Sequence, residues 1–406
     1  MFNKNKIIND PLYGFLTIPT ATVFDVIQHP YFQRLRRIRQ LGMSELVYPG
    51  AVHTRFMHAL GAMNLMIKCV QSLRAKNVEI SEEEAEATYL GILLHDIGHG
   101  PYSHTLEHTI VQGVNHEKIS EILMGKLNDE FDGKLSLAID IFNFKYESKP
   151  FLSQLISSQL DMDRLDYLLR DSFFTGVSEG VVGAERLINM LNVHEGQLVV
   201  EEKGIYSVEK FLVARRLMYW QVYMHKTVTA ADQMLISILK RARDIASSGQ
   251  ALGNYHPLVH FLGNNINESN FDDDAVETYT LLDDSDILSA IKAWTHSPDK
   301  ILKQLCAALL NRQLPKIKIS TKPFSKKSLQ DEKINAMNTF GLRSLEEAEY
   351  FVHSGELNNN AYKADKGGIN ILRKNGEVVD AAEASDNYNL SALTSTVTKY
   401  FATYWK

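Results

Sequence analysis

Residues 81–98, SEEEAEATYLGILLHDIG, open with Ser81 followed three positions later by Glu84, the pattern of a capping box, and run into a turn that is apolar on nearly every side. A helix apolar all round is buried. The pattern therefore predicts a buried helix whose last turn carries His95 and Asp96 into the interior, with Gly98 placed to end it. FLSQLISSQLDMDRLDYLLRD (151–171) and SVEKFLVARRLMYWQVYMHKTVTAADQMLISILKRARDIA (207–246) keep helical spacing of apolar positions over many residues. Residues 1–250 thus read as dense helix, and ASSGQALGNYHP (246–257) as the break after them. DDSDILSAIKAW (283–294) restarts with acidic N-cap candidates. Beyond it the period changes: LPKIKIST (314–321) reads as a strand, and GINILRKNGEVVDAA (368–382) as a hairpin around Asn375-Gly376. The expected class is mainly α, a helical core over 1–250 with a smaller C-terminal helical and α+β region over 251–406.

Composition narrows this modestly. The 406 residues allow one large core plus appended units. The two cysteines, Cys69 and Cys306, are far apart in apolar contexts, so neither a disulfide framework nor a zinc knuckle is expected, and a cytoplasmic setting is. The first residues lack the apolar segment of a signal peptide, and no apolar run is long enough to span a bilayer, so no membrane association is expected. A net charge of −6 does not favour general nucleic-acid binding, so an anionic substrate needs a local cluster of cations.

The chemistry concentrates in LLHDIGHGPYSH (93–104), which holds His95, Asp96, His99 and His104 around two glycines. Upstream, HTRFMHALGAMNLM (53–66) places His53 and His58 near Arg55. Downstream, LDMDRLDYLLRD (160–171) supplies Asp161, Asp163, Asp166 and Asp171, with Asp163, Tyr167 and Asp171 on one helix face at i, i+4, i+8. Neutral imidazoles with carboxylates and no thiolate suit a divalent ion: manganese, iron, zinc, nickel, cobalt or magnesium. Any one of these histidines alone reads best as a satisfied core residue. The adjacent His95–Asp96 pair, with further His and Asp at suitable positions, favours a metal site. His53, His108, Asp161 and Asp166 read as structural or solvated.

The order H…HD…D resembles the HD-domain metal-dependent phosphohydrolases. FQRLRRIRQLG, YPGAVHTRFMHALG, LLHDIGHGPYSH, NHEK, LDMDRLDYLLRD and RRLMYWQVYMHK follow the order and near the spacing of the deoxynucleoside triphosphate triphosphohydrolases within that group, over roughly residues 6–245. The resemblance implies an HD-domain helical core and metal ligation by His58, His95, Asp96 and Asp163. It places His99, His104 and His116 along the α-phosphate, with His104 protonating the leaving 5′ oxygen. Glu107, where the family has aspartate, would orient His116. Arg55, Arg164 and Arg215 would clamp the triphosphate, Arg164 standing where the human member has lysine. Gln40 and Asp171 would bond the sugar 3′-OH, and Leu41, Tyr167 and Tyr223 would wall the ribose against a 2′-OH. Arg215, Tyr219 and Tyr223 fall at i, i+4, i+8, and Tyr219 reads as an ordinary core aromatic.

The implied reaction converts a dNTP, dGTP among them, to deoxynucleoside and inorganic triphosphate. The implied partners are a dNTP substrate, a nucleotide effector and further copies of the chain. The arginine run QRLRRIRQ divides between a solvated helix face and an effector pocket built from Lys6, Gln33 and Arg36. Gln28 replaces the acid that reads guanine in the human member, which argues against guanine-triggered activation. The alternatives are another HD-type hydrolase (nucleotidase, phosphodiesterase or nuclease) and a catalytically silent nucleotide- or nucleic-acid-binding protein. The last should lack a ligand or a catalytic histidine, and none is missing.

Overall fold

The computed structural model describes residues 6–102, 105–253, 256–359, 362, 367–386 and 395–406. A hairpin of β1 (Ile7–Asp10) and β2 (Gly14–Thr17) precedes α1 (Ala21–Gln28) and α2 (Pro30–Gln33), then the long α3 (Arg55–Ala75) and α4 (Glu82–Leu94). After α5 (Glu107–Ile110) come α6 (His116–Glu130), α7 (Ser136–Phe142), α8 (Pro150–Ile156), α9 (Met162–Thr175) and α10 (Ala184–Met190). The β3 (Leu191–His194) and β4 (Gln197–Glu201) hairpin leads to α11 (Ile205–Met218) and α12 (Lys226–Ser247). The C-terminal part begins with α13 (His256–Gly263), α14 (Asp273–Thr280), α15 (Asp284–Trp294) and α16 (Lys300–Leu310). It continues through β5 (Lys316–Ser320), α17 (Lys326–Phe340), α18 (Leu345–Ala348), β6 (Ser354–Asn359), β7 (Asn370–Leu372), β8 (Val378–Asp380), α19 (Ala381–Ala384) and β9 (Val397–Tyr404). The fold is mainly α, as expected. Among the described residues no helix is long and apolar enough to cross a membrane.

Helix α4 starts where its capping box predicts. Glu84 N donates to Ser81 Oγ (3.1 Å) and Ser81 N to Glu84 Oε2 (2.8 Å). Its residues 87–94 are all buried, and it packs beside α3. Gly98 acts differently from the expected helix stop, since α4 already ends at Leu94. A Cβ on Gly98 would lie 2.3 Å from His116 O, so the residue is small to let the start of α6 approach. Ser120 Oγ fastens that contact, accepting from Gly98 N (2.9 Å) and donating to His95 O (2.8 Å).

Two short hairpins interrupt the stretch read as helix. Strands of four or five residues are too brief to impose a visible period. The Glu195-Gly196 turn, left-handed at both residues (φ +50° and +77°), was the available signal. The long helical reading of 207–246 also breaks. Residues Tyr219–Tyr223 form one π turn, and His225 caps α12 by accepting from Thr227 N (3.2 Å). Apolar spacing over forty residues cannot reveal a single-residue offset of this kind.

The C-terminal strand and hairpin appear where expected. Strands β7 and β8 pair antiparallel, while β7 lies parallel to β4, so the last part of the chain completes a sheet begun in the helical region, in the order β3-β4-β7-β8. Strands β5, β9 and β6 form a separate antiparallel sheet.

An ion chain ties the N-terminal hairpin to α9. Arg170, fully buried, donates through Nε and Nη2 to Asp166 (2.9 and 3.0 Å) and through Nη1 to Asp10 Oδ2 (2.8 Å). Gly61 on α3 makes room: a Cβ there would sit 2.1 Å from both Arg170 Nη2 and Asp166 Oδ1. Arg170→Ala leaves two buried carboxylates without their cation, and should lower stability in urea titrations by about 3–5 kcal/mol.

Candidate metal centre and adjoining cavities

Helices α3, α4 and α9 each present part of one cluster, buried at His58 and half-buried at His95 and Asp163. His58, fully buried on α3, donates from Nδ1 to Asp166 Oδ2 (2.8 Å). His95, at the C-cap of α4, donates from Nδ1 to Ile92 O (2.6 Å). These bonds commit each Nδ1 as a donor, so in the neutral ring each Nε2 would offer its lone pair. Both lone pairs point at carboxylate oxygens. His58 Nε2 is 3.1 Å from Asp163 Oδ1 and 3.7 Å from Asp96 Oδ2; His95 Nε2 is 3.4 Å from Asp163 Oδ1 and 3.3 Å from Asp96 Oδ1.

Neither Nε2 atom has a hydrogen bond of acceptable geometry. Two atoms that share an ion at about 2.1 Å stand roughly 3.0–3.4 Å apart, for octahedral to tetrahedral angles. The four residues expected to bind metal therefore converge with ligand-like spacing, and their nitrogen and oxygen donors fit a divalent cation. The local field agrees. Burial draws the His58 imidazolium down, but Asp163 and Asp166 outweigh it and push its pKa up to about 10. Burial raises Asp163, yet His58 and His95 hold it far below the usual carboxylate range.

A second group flanks this one. Asp96, His99 and His116 also bring potential ligand atoms within 4.8 Å of one another. Here Arg55 donates to Asp96 Oδ2 and supplies positive charge of its own. His99 stacks on His116 with ring centroids 3.8 Å apart, and burial together with Arg55 keeps its pKa well down, so it is neutral at pH 7. Glu107 receives both the ring Nδ1 and the backbone N–H of His116 (2.8 Å for the latter), so the longer acid reaches the histidine it was expected to orient. His104 lies outside the described residues.

A cavity of about 340 Å³ opens from the cluster. Its walls bring together Arg55, His99 and Arg164 with Gln40, Leu41, Tyr167, Asp171 and Tyr223, all residues that the family likeness assigns to the substrate. Asp171 is held by two donors, His53 Nε2 (2.7 Å) and Tyr223 Oη (2.8 Å). Arg164 is braced by Asp161, the N-cap of α9. The expectations for Arg215 and Tyr219 exchange places. Arg215 does not line the cavity but lies buried behind it, donating to Gln159 Oε1 (3.2 Å), whereas Tyr219 does line it, with its ring 5.2 Å from Tyr223 at 88°. The i, i+4 spacing does bring Tyr219 to the wall with Tyr223, across the π turn, whereas Arg215, one turn earlier on the regular α11, is engaged by Gln159. A second cleft of about 590 Å³ shares Asp96, His116, Asp163 and Arg164 with the first, and runs out past Lys118 and Asn143.

Comparison with known proteins extends these observations. Residues 55–171 match the HD domain and residues 182–252 the HD associated region. The chain is 36% identical over 319 residues to the uncharacterised Bacillus subtilis protein YwfO, covering 77% of this chain and 71% of that one. Human SAMHD1, named a deoxynucleoside triphosphate triphosphohydrolase, is 26% identical over 74% of this chain, which covers 53% of SAMHD1. A crystal structure of a phosphohydrolase from Bacteroides thetaiotaomicron superposes with a TM-score of 0.95 at 49% identity, covering 99% of this chain and all of the other. A hypothetical protein from Aquifex aeolicus superposes with a TM-score of 0.73 at 28% identity, over 98% and 96% of the two chains.

Two changes test the centre through metal content alone. His95→Ala with Asp96→Ala should abolish metal uptake measured by plasma mass spectrometry. Asp166→Asn leaves all four donors but weakens the bond that orients His58, and should lower metal affinity by roughly 10–100-fold; unchanged affinity would show that Asp166 serves only packing.

Proposed function

This chain belongs to the HD-domain phosphohydrolase family, and on that premise we propose that it hydrolyses deoxynucleoside triphosphates to deoxynucleoside and inorganic triphosphate. The observation that carries the reading is the convergence of His58, His95 and Asp163, with Asp96 against both histidines, beside a cavity lined by arginines, His99, His116 and tyrosines. The names of the human and Dictyostelium relatives support the substrate class. A divalent cation held by the four residues would supply Lewis acidity and an activated water at neutral pH.

The chain's own groups do the rest. Arg55 and Arg164 line the cavity together with Asp96 and Asp163, where they would take charge building on the phosphoryl oxygens. His99 and His116 stack against each other, with Glu107 orienting His116, and both rings line the cavity beside the position proposed for the α-phosphate. We assign His104 the proton for the 5′ oxygen on family likeness. At the other positions Asp171, fixed by His53 and Tyr223, keeps lone pairs to accept a 3′-OH. The Tyr167, Tyr219 and Tyr223 rings limit space at the sugar, so a 2′-OH would be buried without a partner. Homo-oligomeric assembly, a nucleotide effector and a cytoplasmic setting belong to the same reading. The second cleft favours one alternative, an HD hydrolase acting on a larger phosphoester, because it leaves room beyond a nucleotide.

Chromatography of products from each dNTP separates the two, since only the favoured reaction yields inorganic triphosphate. Chelation should stop turnover and metal readdition restore it. Nucleoside monophosphate as the product from every dNTP would overturn the assignment. Tyr223→Phe removes the hydroxyl that donates to Asp171, and should cut the preference for dNTP over NTP about tenfold, roughly 1.4 kcal/mol. The measurement is kcat/KM for matched pairs.

A further inference from the structure

Segment 279–284, from the last turn of α14 to the first residue of α15, lies outside both matched regions, yet it bonds to the segments that carry the site. Asp283 and Asp286 already cap α15: Ser285 N donates to Asp283 Oδ1 (2.8 Å) and Asp283 N to Asp286 Oδ2 (2.8 Å). Asp284 is therefore not needed for that task, and its carboxylate reaches away from its own helix. Oδ2 accepts from Arg39 N (2.9 Å) and Oδ1 from Tyr102 N (2.8 Å). The residue is 8% exposed, and burying a carboxylate costs several kcal/mol unless donors compensate.

The two amides belong to the two edges of the site. Arg39 precedes Gln40 and Leu41, and its segment pairs with the start of α3: Arg55 N donates to Ile38 O and Gln40 N to His53 O, both at 3.0 Å. Tyr102 closes the loop that begins with Asp96 and His99, and it adopts a left-handed conformation (φ +50°). Neighbouring bonds reinforce the clamp. Tyr279 Oη donates to Gly98 O (3.0 Å), and a Cβ on Gly100 would meet that hydroxyl at 2.6 Å. Arg34, fully buried, donates to Leu282 O and Ile97 O, both at 3.1 Å.

We propose that Asp284 is a positioning residue that sets the sugar-reading segment at Gln40 and Leu41 against the metal- and phosphate-binding loop, one carboxylate oxygen to each. Tyr279 is its auxiliary and acts on the loop alone. The proposal rests on the dNTP reading above for what the two edges contact.

The test uses the full-length, metal-loaded protein. Asp284→Asn keeps the shape but places an NH2 against one of the two amides. Per metal-loaded chain, kcat should fall at least tenfold and the dNTP-to-NTP ratio of kcat/KM at least threefold, with metal stoichiometry unchanged. Tyr279→Phe, which does not touch Arg39, should lower kcat about threefold and leave the ratio alone. A merely structural Asp284 would reduce the yield of folded protein while kcat per bound metal and the ratio stay at wild-type values, and that result overturns the proposal. Should Asp284→Asn not fold, wild-type kcat in Tyr279→Phe overturns it instead. Wild-type protein that releases no triphosphate from any dNTP would refute the functional reading separately. The clamp is then judged on bis(p-nitrophenyl) phosphate, where the same loss of kcat per bound metal is expected and its absence refutes the clamp.

Discussion

Two imidazole lone pairs facing carboxylate oxygens across 3.1–3.7 Å repel one another unless positive charge lies among them. Water screens such a cluster at a surface; here His58 is fully buried and Asp96 nearly so. The helical core is arranged to enforce this otherwise unfavourable meeting. Helix α3 brings His58, the end of α4 brings His95 and Asp96, and α9 brings Asp163. Each arrives on an element whose other faces are committed to the apolar core, so none can turn away without unpacking it. A proton on His58, whose pKa these carboxylates push up to about 10, relieves part of the conflict, and a divalent cation bound among the four side chains would relieve it more fully.

Around this conflict lie successive layers of support. His58 is oriented by Asp166, Asp166 by Arg170, and Arg170 also by Asp10 from the N-terminal hairpin. His116 is oriented by Glu107, and the approach of α6 to the loop depends on a missing side chain at Gly98. The cavity follows the same logic with tyrosines, one of which holds Asp171. Precision at the centre is thus inherited from contacts that never touch a ligand.

The parts of this arrangement legible in the sequence were those with a local signature. The capping box announced α4, the crowding of His95, Asp96 and His99 announced the centre, and the Asn375-Gly376 pair announced the C-terminal hairpin. The i, i+4, i+8 rule correctly grouped Asp163, Tyr167 and Asp171 because α9 is regular. The same spacing grouped Tyr219 with Tyr223, and both line the cavity, although Tyr219 alone reads as a core aromatic; Arg215, given a role by family likeness, is engaged by Gln159 instead, a long-range contact that local spacing does not reveal. The hairpins at 7–17 and 191–201 escaped because their short strands carry no detectable period and neither turn has the Asn-Gly pair that marked the C-terminal hairpin, Glu195-Gly196 being a weaker cue. Arg34 could not be separated from its neighbours in the arginine run: its burial depends on Leu282 and Ile97, which are distant in the sequence. Burial of a charge is a tertiary property, and composition carries little trace of it.

The two clefts share Asp96, His116, Asp163 and Arg164. The candidate centre is consequently bordered by two openings. Were a nucleotide lodged among the tyrosines, the same four side chains would still present their other sides to solvent, so the centre could be approached from a direction that the occupant does not block.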